Sequence, residues 1–238
     1  MAIQIDEHQL AKLVESVVAQ VTERGLIAPE PTPQVAPAVS IQKTTARPVN
    51  HADGIFGTVD EAVAAAKKAY TEFSSVPLEQ RKIFIEAMRE VAIANAEIFA
   101  QEAVTETGFG RASDKIQKNL LAARKTPGTE DLAPTCYTGD DGLTLVEPGP
   151  FGIIGAITPC TNPAATIINN SISMVAAGNA VVFNPRPSAK GVSNHAVALL
   201  NRAIAKLGGP ATLLCSMASP TLETSGALMG HPDIRILM

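Results

Sequence analysis

Short apolar runs alternate with segments of helical period from Phe151 to the last residue of the 238-residue sequence. The runs that predict strands are "FGIIGAIT", "AVVFN", "TLLCS" and "IRILM". Residues 164–177, 190–207 and 220–230, which lie between them, have the apolar spacing of helices. Alternating strands and helices predict a parallel sheet with helices on both faces. The predicted fold class is therefore α/β, with ligands expected at the carboxyl ends of the strands.

Helices dominate the preceding region, residues 55–126, which we interpret as a helical layer. Thr58 and Glu61 have the spacing of a capping box, which predicts that a helix begins between them. A break is expected near Asn95, and Gly108 is expected to end the long helical run. The "GDDG" turn at 139–142 belongs to a pair of strands within residues 136–150.

The first 27 residues predict an amphipathic helix, and residues 28–50 predict a proline-rich linker. The apolar positions of this helix are Leu10, Leu13, Val14, Val17, Val18 and Val21. Two interpretations stay open on physical grounds. The helix either packs on a neighbouring subunit or is a targeting peptide that docks in a groove of a partner protein. The globular part is then expected to cover residues 51–238.

Charge and composition exclude several classes of function. The net charge of -4 without a basic run argues against nucleic-acid binding. The acidic start and the absence of an apolar run of about 18 residues argue against a secretory signal and a membrane span. Three cysteines without CxxC spacing, and four histidines without ligand spacing, predict free thiols and no metal site. Charged residues make up only 18% of the chain, which predicts that other protein covers part of its surface.

Two loops at predicted strand ends carry the candidate site, "TPCTN" and "NPRPSAK". No GxGxxG follows a strand, so the dinucleotide fingerprint is absent. Arg186 and Lys190 either bind phosphate or are solvated loop charges. Cys160 is either a nucleophile or a buried thiol, and burial is the commoner state of a free cysteine. Asn162 either caps a helix or donates to a developing oxyanion.

The sequence stops at Met238 within a predicted apolar strand that has no following crossover. Natural proteins avoid such exposed sheet edges, so we expect this chain to be a truncated part of a longer protein. The alternative is a genuine short product that serves as a nucleotide-binding or targeting module.

Several longer strings carry a specific resemblance, from about Gly54 to the last residue. They are "ETGFGRASDKIQKN", "TPGTEDLAP", "GHPDIRILM" and the long run "TGDDGLTLVEPGPFGIIGAITPCTNPAATIINNSISMVAAGNAVVFNPRPSAKGVS". Together they resemble the amino-terminal half of a CoA-acylating aldehyde dehydrogenase. The nearest members are the acetaldehyde and propionaldehyde dehydrogenases of bacterial microcompartments for ethanolamine or propanediol breakdown. The resemblance implies the aldehyde-dehydrogenase fold, with a parallel nucleotide-binding sheet, Rossmann-like but without GxGxxG.

The resemblance also implies a reaction. A cysteine thiolate attacks a short-chain aldehyde, NAD is reduced, and thiolysis by coenzyme A releases the acyl-CoA. Asn162 would supply the oxyanion-hole amide. Thr158, Pro159 and Cys160 would line the nicotinamide side of the cofactor channel. The nucleophilic cysteine would lie beyond Met238, so the chain alone is expected to be inactive.

The loop after the next strand would receive the adenosine end of the cofactor, through Asn184, Pro185, Arg186 and Pro187. Ordinary aldehyde dehydrogenases carry a lysine at the position of Asn184. Its replacement by asparagine fits the CoA-using branch, in which the pocket also takes coenzyme A. An aldehyde-dehydrogenase-like reductase acting on acyl phosphates is a further alternative, which "NPRP" and the amino-terminal helix disfavour.

The resemblance also implies partners and a location. Residues 1–27 would act as an encapsulation peptide that binds a shell or core protein of a microcompartment, placing the enzyme in its lumen within the cytoplasm. The family further implies a homotetramer, built as a dimer of dimers.

Overall fold

The computed structural model describes residues 48–238. The amphipathic helix expected at 1–27 and nearly all of the linker expected at 28–50 lie outside these described residues.

A five-stranded sheet with the strand order β1-β6-β5-β4-β7 forms the centre of the described region. All four neighbouring pairs are parallel. Its strands are β1 (Ile55–Phe56), β4 (Ile153–Thr158), β5 (Ala180–Pro185), β6 (Leu214–Met217) and β7 (Ile234–Leu237). The remaining two strands, β2 (Thr135–Gly139) and β3 (Gly142–Val146), form a separate antiparallel hairpin. The predicted α/β class with a parallel sheet is confirmed.

Seven α-helices of the described region surround this sheet. They are α1 (Val59–Phe73), α2 (Leu78–Ala94), α3 (Ala96–Thr107), α4 (Ala112–Lys125), α5 (Pro163–Ala176), α6 (Lys190–Lys206) and α7 (Leu222–Gly230). Helices α5 and α6 contact the sheet and each other, while α1 and α7 contact the sheet and each other in a second group. Helices α2, α3 and α4 pack on α5 and α6 rather than on strands, so they form an additional helical layer.

Local sequence signals explain where the first helices begin and end. The Thr58 hydroxyl accepts from the Glu61 backbone N–H, and the Glu61 carboxylate accepts from the Thr58 N–H, which confirms the capping box. Helix α2 ends at Ala94 and α3 begins at Ala96, so the break at Asn95 is confirmed. Gly108 ends α3 with a φ of 71°, a left-handed conformation that glycine adopts without a steric penalty.

Buried polar side chains hold the end of α4 within the helical layer and the start of β4 in the sheet. Arg89 is 8% exposed and donates to the backbone carbonyls of Ala123 and Thr126. Asn179 accepts from the backbone N–H groups of Phe151 and Gly152, which sets the entry of the chain into β4. A buried donor or acceptor without a partner lowers the stability of the fold by about 1–3 kcal/mol. These hydrogen bonds therefore favour the observed positions of the chain at Thr126 and at Phe151.

Short strands form both edges of the sheet. Ile55–Phe56 form an edge strand rather than part of the helical layer, because their backbone continues the sheet beside β6. Strand β7 occupies the opposite edge, and its residues Ile236 and Leu237 are exposed, which agrees with the exposed sheet edge expected from the sequence. The β2–β3 hairpin is exposed along its length and includes Tyr137 and Leu143. The division into a helical layer, bridging strands and a parallel α/β part stays a prediction. Within residues 48–238 no helix has the length and apolar character needed to cross a membrane.

Candidate functional site

The carboxyl ends of β4 and β5 lie side by side because the two strands pair in parallel register. Thr158 is the register partner of Pro185, and the backbone N–H of Arg186 donates to the Thr158 carbonyl at 3.0 Å. The two predicted site loops therefore leave the sheet together. An open cleft of about 780 Å³ lies at these strand ends. Its lining consists of Ile157, Thr158, Pro159, Asn184, Pro185, Arg186, Pro187, Ser188, Thr221, Leu222 and Ser225.

Asn184 fixes the first turn of α7 to the end of β5. Its side chain is 2% exposed, its Nδ2 donates to the Ser225 Oγ at 2.6 Å, and its Oδ1 accepts from the Thr224 Oγ1 at 2.9 Å. The Thr224 hydroxyl also accepts from the Thr221 backbone N–H in the capping box of α7. Both ends of the Asn184 amide are thus engaged by the protein. Its contribution to the cleft is to hold one wall in place.

Arg186 is the cation of this cleft. It is exposed, it lies between two prolines that restrict the loop, and its side chain forms no ion pair with any carboxylate of residues 48–238. Lys190, the other cation of the loop, begins α6 and is not among the residues that line the cleft. An exposed guanidinium on a stiff loop is suited to bind phosphate.

The loop after β4 contributes residues to the cleft and to a second depression. Thr158 and Pro159 line the cleft, although the Thr158 hydroxyl is buried and finds no hydrogen-bond partner among the described residues. Cys160 is not among the lining residues of the cleft, because its side chain packs partly buried against the hydrophobic core. Asn162 lines a groove of about 510 Å³ between α4 and α5.

Two lysines of α4 hold this loop. Lys115 Nζ donates to the Thr161 carbonyl at 2.6 Å, and Lys118 Nζ donates to the Asn162 Oδ1 at 3.1 Å. Burial lowers the pKa of Lys115, the charge of Lys118 lowers it further, and the neighbouring Cys160 acts in the opposite direction. Asn162 stands at the N-cap of α5 but makes no capping hydrogen bond with its side chain. The Asn162 side chain therefore does not cap α5, although capping is the more common use of an asparagine at a helix start.

The amino-terminal end of α6, a possible anion site, is filled by a carboxylate of the protein itself. The two Glu106 oxygens accept from the backbone N–H groups of Gly191 and Val192 at 2.7 and 2.8 Å. A Cβ at Gly191 would lie 3.0 Å from these oxygens, so the glycine permits the approach. The N–H groups at the start of α6 are therefore not available to a phosphate. Among the residues that line the cleft, Arg186 is the cation that could bind one.

The three cysteines are free thiols in different environments, as predicted. Cys136 is exposed on the hairpin, and Cys160 is partly buried. Cys215 is buried in β6, and its burial raises the pKa of the thiol far above the usual value. His195 is a structural link rather than a ligand, since its Nδ1 contacts the Glu102 carboxylate between α3 and α6. No group of three metal-ligating side chains is found among residues 48–238.

Sequence reasoning missed Lys115, Lys118 and Glu106, although all three contact the site loops or the helix that follows them. Lys118 is 44 positions from Asn162, and Glu106 is 85 positions from Gly191. The available signal was weak. Lys115 and Lys118 are one helical turn apart, a spacing that places both on one face of α4.

The fold and the site define an α/β protein with a ligand cleft at the carboxyl ends of two central parallel strands. The model of the aldehyde dehydrogenase family matches residues 33–238. The chain therefore belongs to the aldehyde dehydrogenase family, which confirms the expected resemblance.

Relatives of known activity place the chain within this family. It is 48% identical over 208 residues to the acetaldehyde dehydrogenase (acetylating) EutE of Salmonella typhimurium, covering 86% of this chain and 44% of that protein. A propionaldehyde dehydrogenase from the fucose utilisation microcompartment of Clostridium phytofermentans is 50% identical, with a TM-score of 0.75 over 77% of this chain and 43% of that one. The Rhodopseudomonas palustris propionaldehyde dehydrogenase, solved with bound CoA and an acylated cysteine, is 46% identical, with a TM-score of 0.76 over 78% of this chain and 43% of that one. The chain thus spans less than half the length of these relatives.

The role of Asn184 can be tested by replacing it with alanine. Asn184→Ala leaves the hydroxyls of Thr224 and Ser225 without their partner, so the amides of α7 should exchange hydrogen about tenfold faster. Hydrogen exchange followed by mass spectrometry measures this on residues 222–230. Ser188→Ala, which changes another lining residue of the cleft, is the control and should leave the exchange of α7 unchanged. Equal exchange in both variants would show that Asn184 does not hold the helix.

Proposed function

We propose that this chain is part of an enzyme that oxidises a short-chain aldehyde, acetaldehyde or propionaldehyde, to the acyl-CoA with NAD and coenzyme A. The observation that carries the proposal is that one loop after β4 contributes Thr158 and Pro159 to the ligand cleft and Asn162 to the neighbouring groove. The proposed oxyanion donor and the proposed nucleotide site would then share one strand end. The relatives described above, acetylating or propionaldehyde dehydrogenases, support the same chemistry.

Asn162 is proposed to stabilise the oxyanion of the thiohemiacetal. Its Oδ1 is occupied by Lys118, and its Nδ2 makes no hydrogen bond to any residue of 48–238, so the amide has a donor to offer. A preorganised N–H donor aimed at a developing oxyanion contributes strongly to such reactions. The amide binds the charge and takes no part in the covalent step.

The attacking cysteine is proposed to come from sequence outside these 238 residues. Cys215 is buried with a raised pKa, and Cys136 lies on the exposed hairpin, so neither is suited to attack a carbonyl held by Asn162. Cys160 packs against the core and does not line the cleft. The acylated cysteine of the Rhodopseudomonas palustris relative supports covalent catalysis of this kind.

The cleft fits the adenosine and phosphate part of NAD or coenzyme A. It is concave, lies at the strand ends, and combines a free guanidinium with apolar walls from Ile157, Pro187 and Leu222. Arg186 is proposed to bind phosphate, while Pro185 and Pro187 keep the loop in its shape. Thr158 and Pro159 line the cleft and precede Asn162 closely in the sequence. When bound, NAD supplies the acceptor for the two electrons released by aldehyde oxidation.

Residues 1–27 are proposed to direct the enzyme into the lumen of a bacterial microcompartment. The apolar stripe at helical spacing, followed by a proline-rich stretch, is suited to dock in a groove of a shell or core protein. The relative from a fucose utilisation microcompartment supports this location. The proposal also includes a homotetramer, with the exposed hairpin residues Tyr137 and Leu143 as part of the subunit contact.

The enzymatic proposal predicts NADH formation by the protein expressed with its complete reading frame. Propionaldehyde or acetaldehyde with coenzyme A should support turnover, whereas phosphate should not replace coenzyme A. Asn162→Ala should lower kcat by about 10²–10³ because one oxyanion donor is lost, with little change in the KM for NAD. Asn95→Ala is the control, because the side-chain amide of Asn95 donates only to the backbone carbonyl of Val91.

An Asn162→Ala variant with the kcat of the wild type would refute the oxyanion role. Absence of NADH formation by the complete protein with any short aldehyde would instead favour the alternative, a nucleotide-binding or shell-targeting module without catalysis.

The cleft proposal predicts that Arg186 contributes to nucleotide affinity. Arg186→Met should weaken binding of coenzyme A about tenfold, since a charged hydrogen bond to phosphate contributes about 1.5–3 kcal/mol. Titration calorimetry of the 238-residue chain measures this, with Arg124→Met, an exposed arginine of α4, as the control for net charge. If both variants lose affinity equally, the effect is general electrostatics and Arg186 has no specific role.

The targeting proposal predicts that residues 1–50 carry a fluorescent protein into microcompartments. In a host that forms them, the fusion should co-purify with shells. Leu13→Glu, which places a charge on the apolar stripe, should abolish this, whereas Lys12→Glu on the opposite side of the helical period should not. Equal recovery of both variants with shells would contradict docking through the stripe.

A further inference from the structure

We propose that Lys118 is a positioning residue that fixes the Asn162 side chain so that its Nδ2 is the group offered to the oxyanion. This inference rests on the proposed function, since it assigns a second residue to the same oxyanion site. Lys118 itself is not placed against the substrate. It acts through the amide that it contacts.

The chemistry of the contact determines the orientation of the amide. A lysine ammonium has three donors and no acceptor, so the atom of Asn162 that faces it must be the carbonyl oxygen. The Lys118 Nζ lies 3.1 Å from Oδ1. Rotation of the amide by half a turn would place the Nδ2 hydrogens against the ammonium, which is repulsive. The ammonium therefore selects the one orientation in which Nδ2 points away from α4.

The contact also strengthens Asn162 as a donor. Hydrogen bonds in a chain polarise one another, so an ammonium that donates to Oδ1 makes the N–H groups of the same amide better donors. Lys118 forms no ion pair with a carboxylate of residues 48–238, so its charge is not neutralised there by a partner. A charge of this sign near the oxyanion favours the state in which negative charge develops.

Lys115 holds the backbone on which this arrangement depends. It is 6% exposed and donates to the carbonyl of Thr161, the residue immediately before Asn162. Lys115 and Lys118 are one turn apart on α4, so a single helix face fixes both the backbone and the side chain of the loop. The other wall of the groove, α5, begins at Pro163, directly after Asn162. The loop is thus restrained on both sides of the amide.

The chain offers a matched set of variants for the test. Lys118→Met keeps the length of the side chain and removes the donor, while Lys118→Arg keeps a donor. Lys125→Met removes another lysine that lines the same groove without contacting Asn162, so it controls for charge. Thermal unfolding of each variant verifies that the fold is intact, which we expect because Lys118 is exposed.

Steady-state kinetics of the protein with its complete reading frame measure the effect. Lys118→Met should lower kcat about tenfold, less than the loss in Asn162→Ala, with the KM for NAD unchanged within about twofold. Lys118→Arg should recover most of kcat, and Lys125→Met should resemble the wild type. A change in KM alone, or a kcat in Lys118→Met equal to that of Lys125→Met, would overturn the positioning role.

A second measurement does not depend on activity. In the ¹⁵N-labelled 238-residue chain, the side-chain NH₂ resonances of Asn162 should shift in Lys118→Met and stay unchanged in Lys125→Met. Unchanged resonances in both variants would overturn the contact whatever the enzyme does. Full activity of Asn162→Ala would overturn the proposed oxyanion role together with this inference, whereas a loss in Asn162→Ala without a loss in Lys118→Met would overturn this inference alone.

Discussion

The parallel pairing of β4 with β5 is the constraint on which the site depends. The backbone hydrogen bond from Arg186 to the Thr158 carbonyl extends that pairing beyond the last paired residues of the strands. Thr158 and Arg186 are 28 positions apart in the sequence, yet the loops that begin at them are neighbours in space. The cleft and the Asn162 groove both take residues from these loops, and Asn184 at the end of β5 holds α7.

Much of this arrangement could be predicted from the sequence because it follows from local patterns. The apolar runs of β4 and β5 and the helical period after each determine a parallel sheet, and a parallel sheet determines that the loops carrying Asn162 and Arg186 share an edge. The capping box at Thr58 and the left-handed Gly108 were likewise local signals. Strand β1 was not predictable in this way. Its two residues become a strand only because β6 offers them a neighbouring edge.

The contacts that define what each site residue does were not predictable, because they join distant parts of the chain. Lys118 contacts the Asn162 Oδ1, the atom that would cap α5, and nothing near Asn162 in the sequence indicates that lysine. Asn184 shows the same dependence. Its position in the loop motif suggested contact with a nucleotide, yet its amide is occupied by hydroxyls of α7, some 40 residues later. A motif indicates which residues gather at a site, but long-range contacts decide which of their atoms remain available.

Charge distribution around the two loops gives each a distinct role. On the cleft side, Glu106 fills the amino-terminal end of α6, so Arg186 is the cation that the cleft lining offers to the proposed anionic ligand. In the groove, Lys115 donates to the backbone carbonyl of Thr161, and Lys118 donates to the side-chain oxygen of Asn162. Those two lysines are therefore directed at the protein backbone and side chain rather than at a phosphate. The proposed function would therefore use separate groups at this edge of the protein, Arg186 for an anionic ligand and the Asn162 amide for a transient oxyanion.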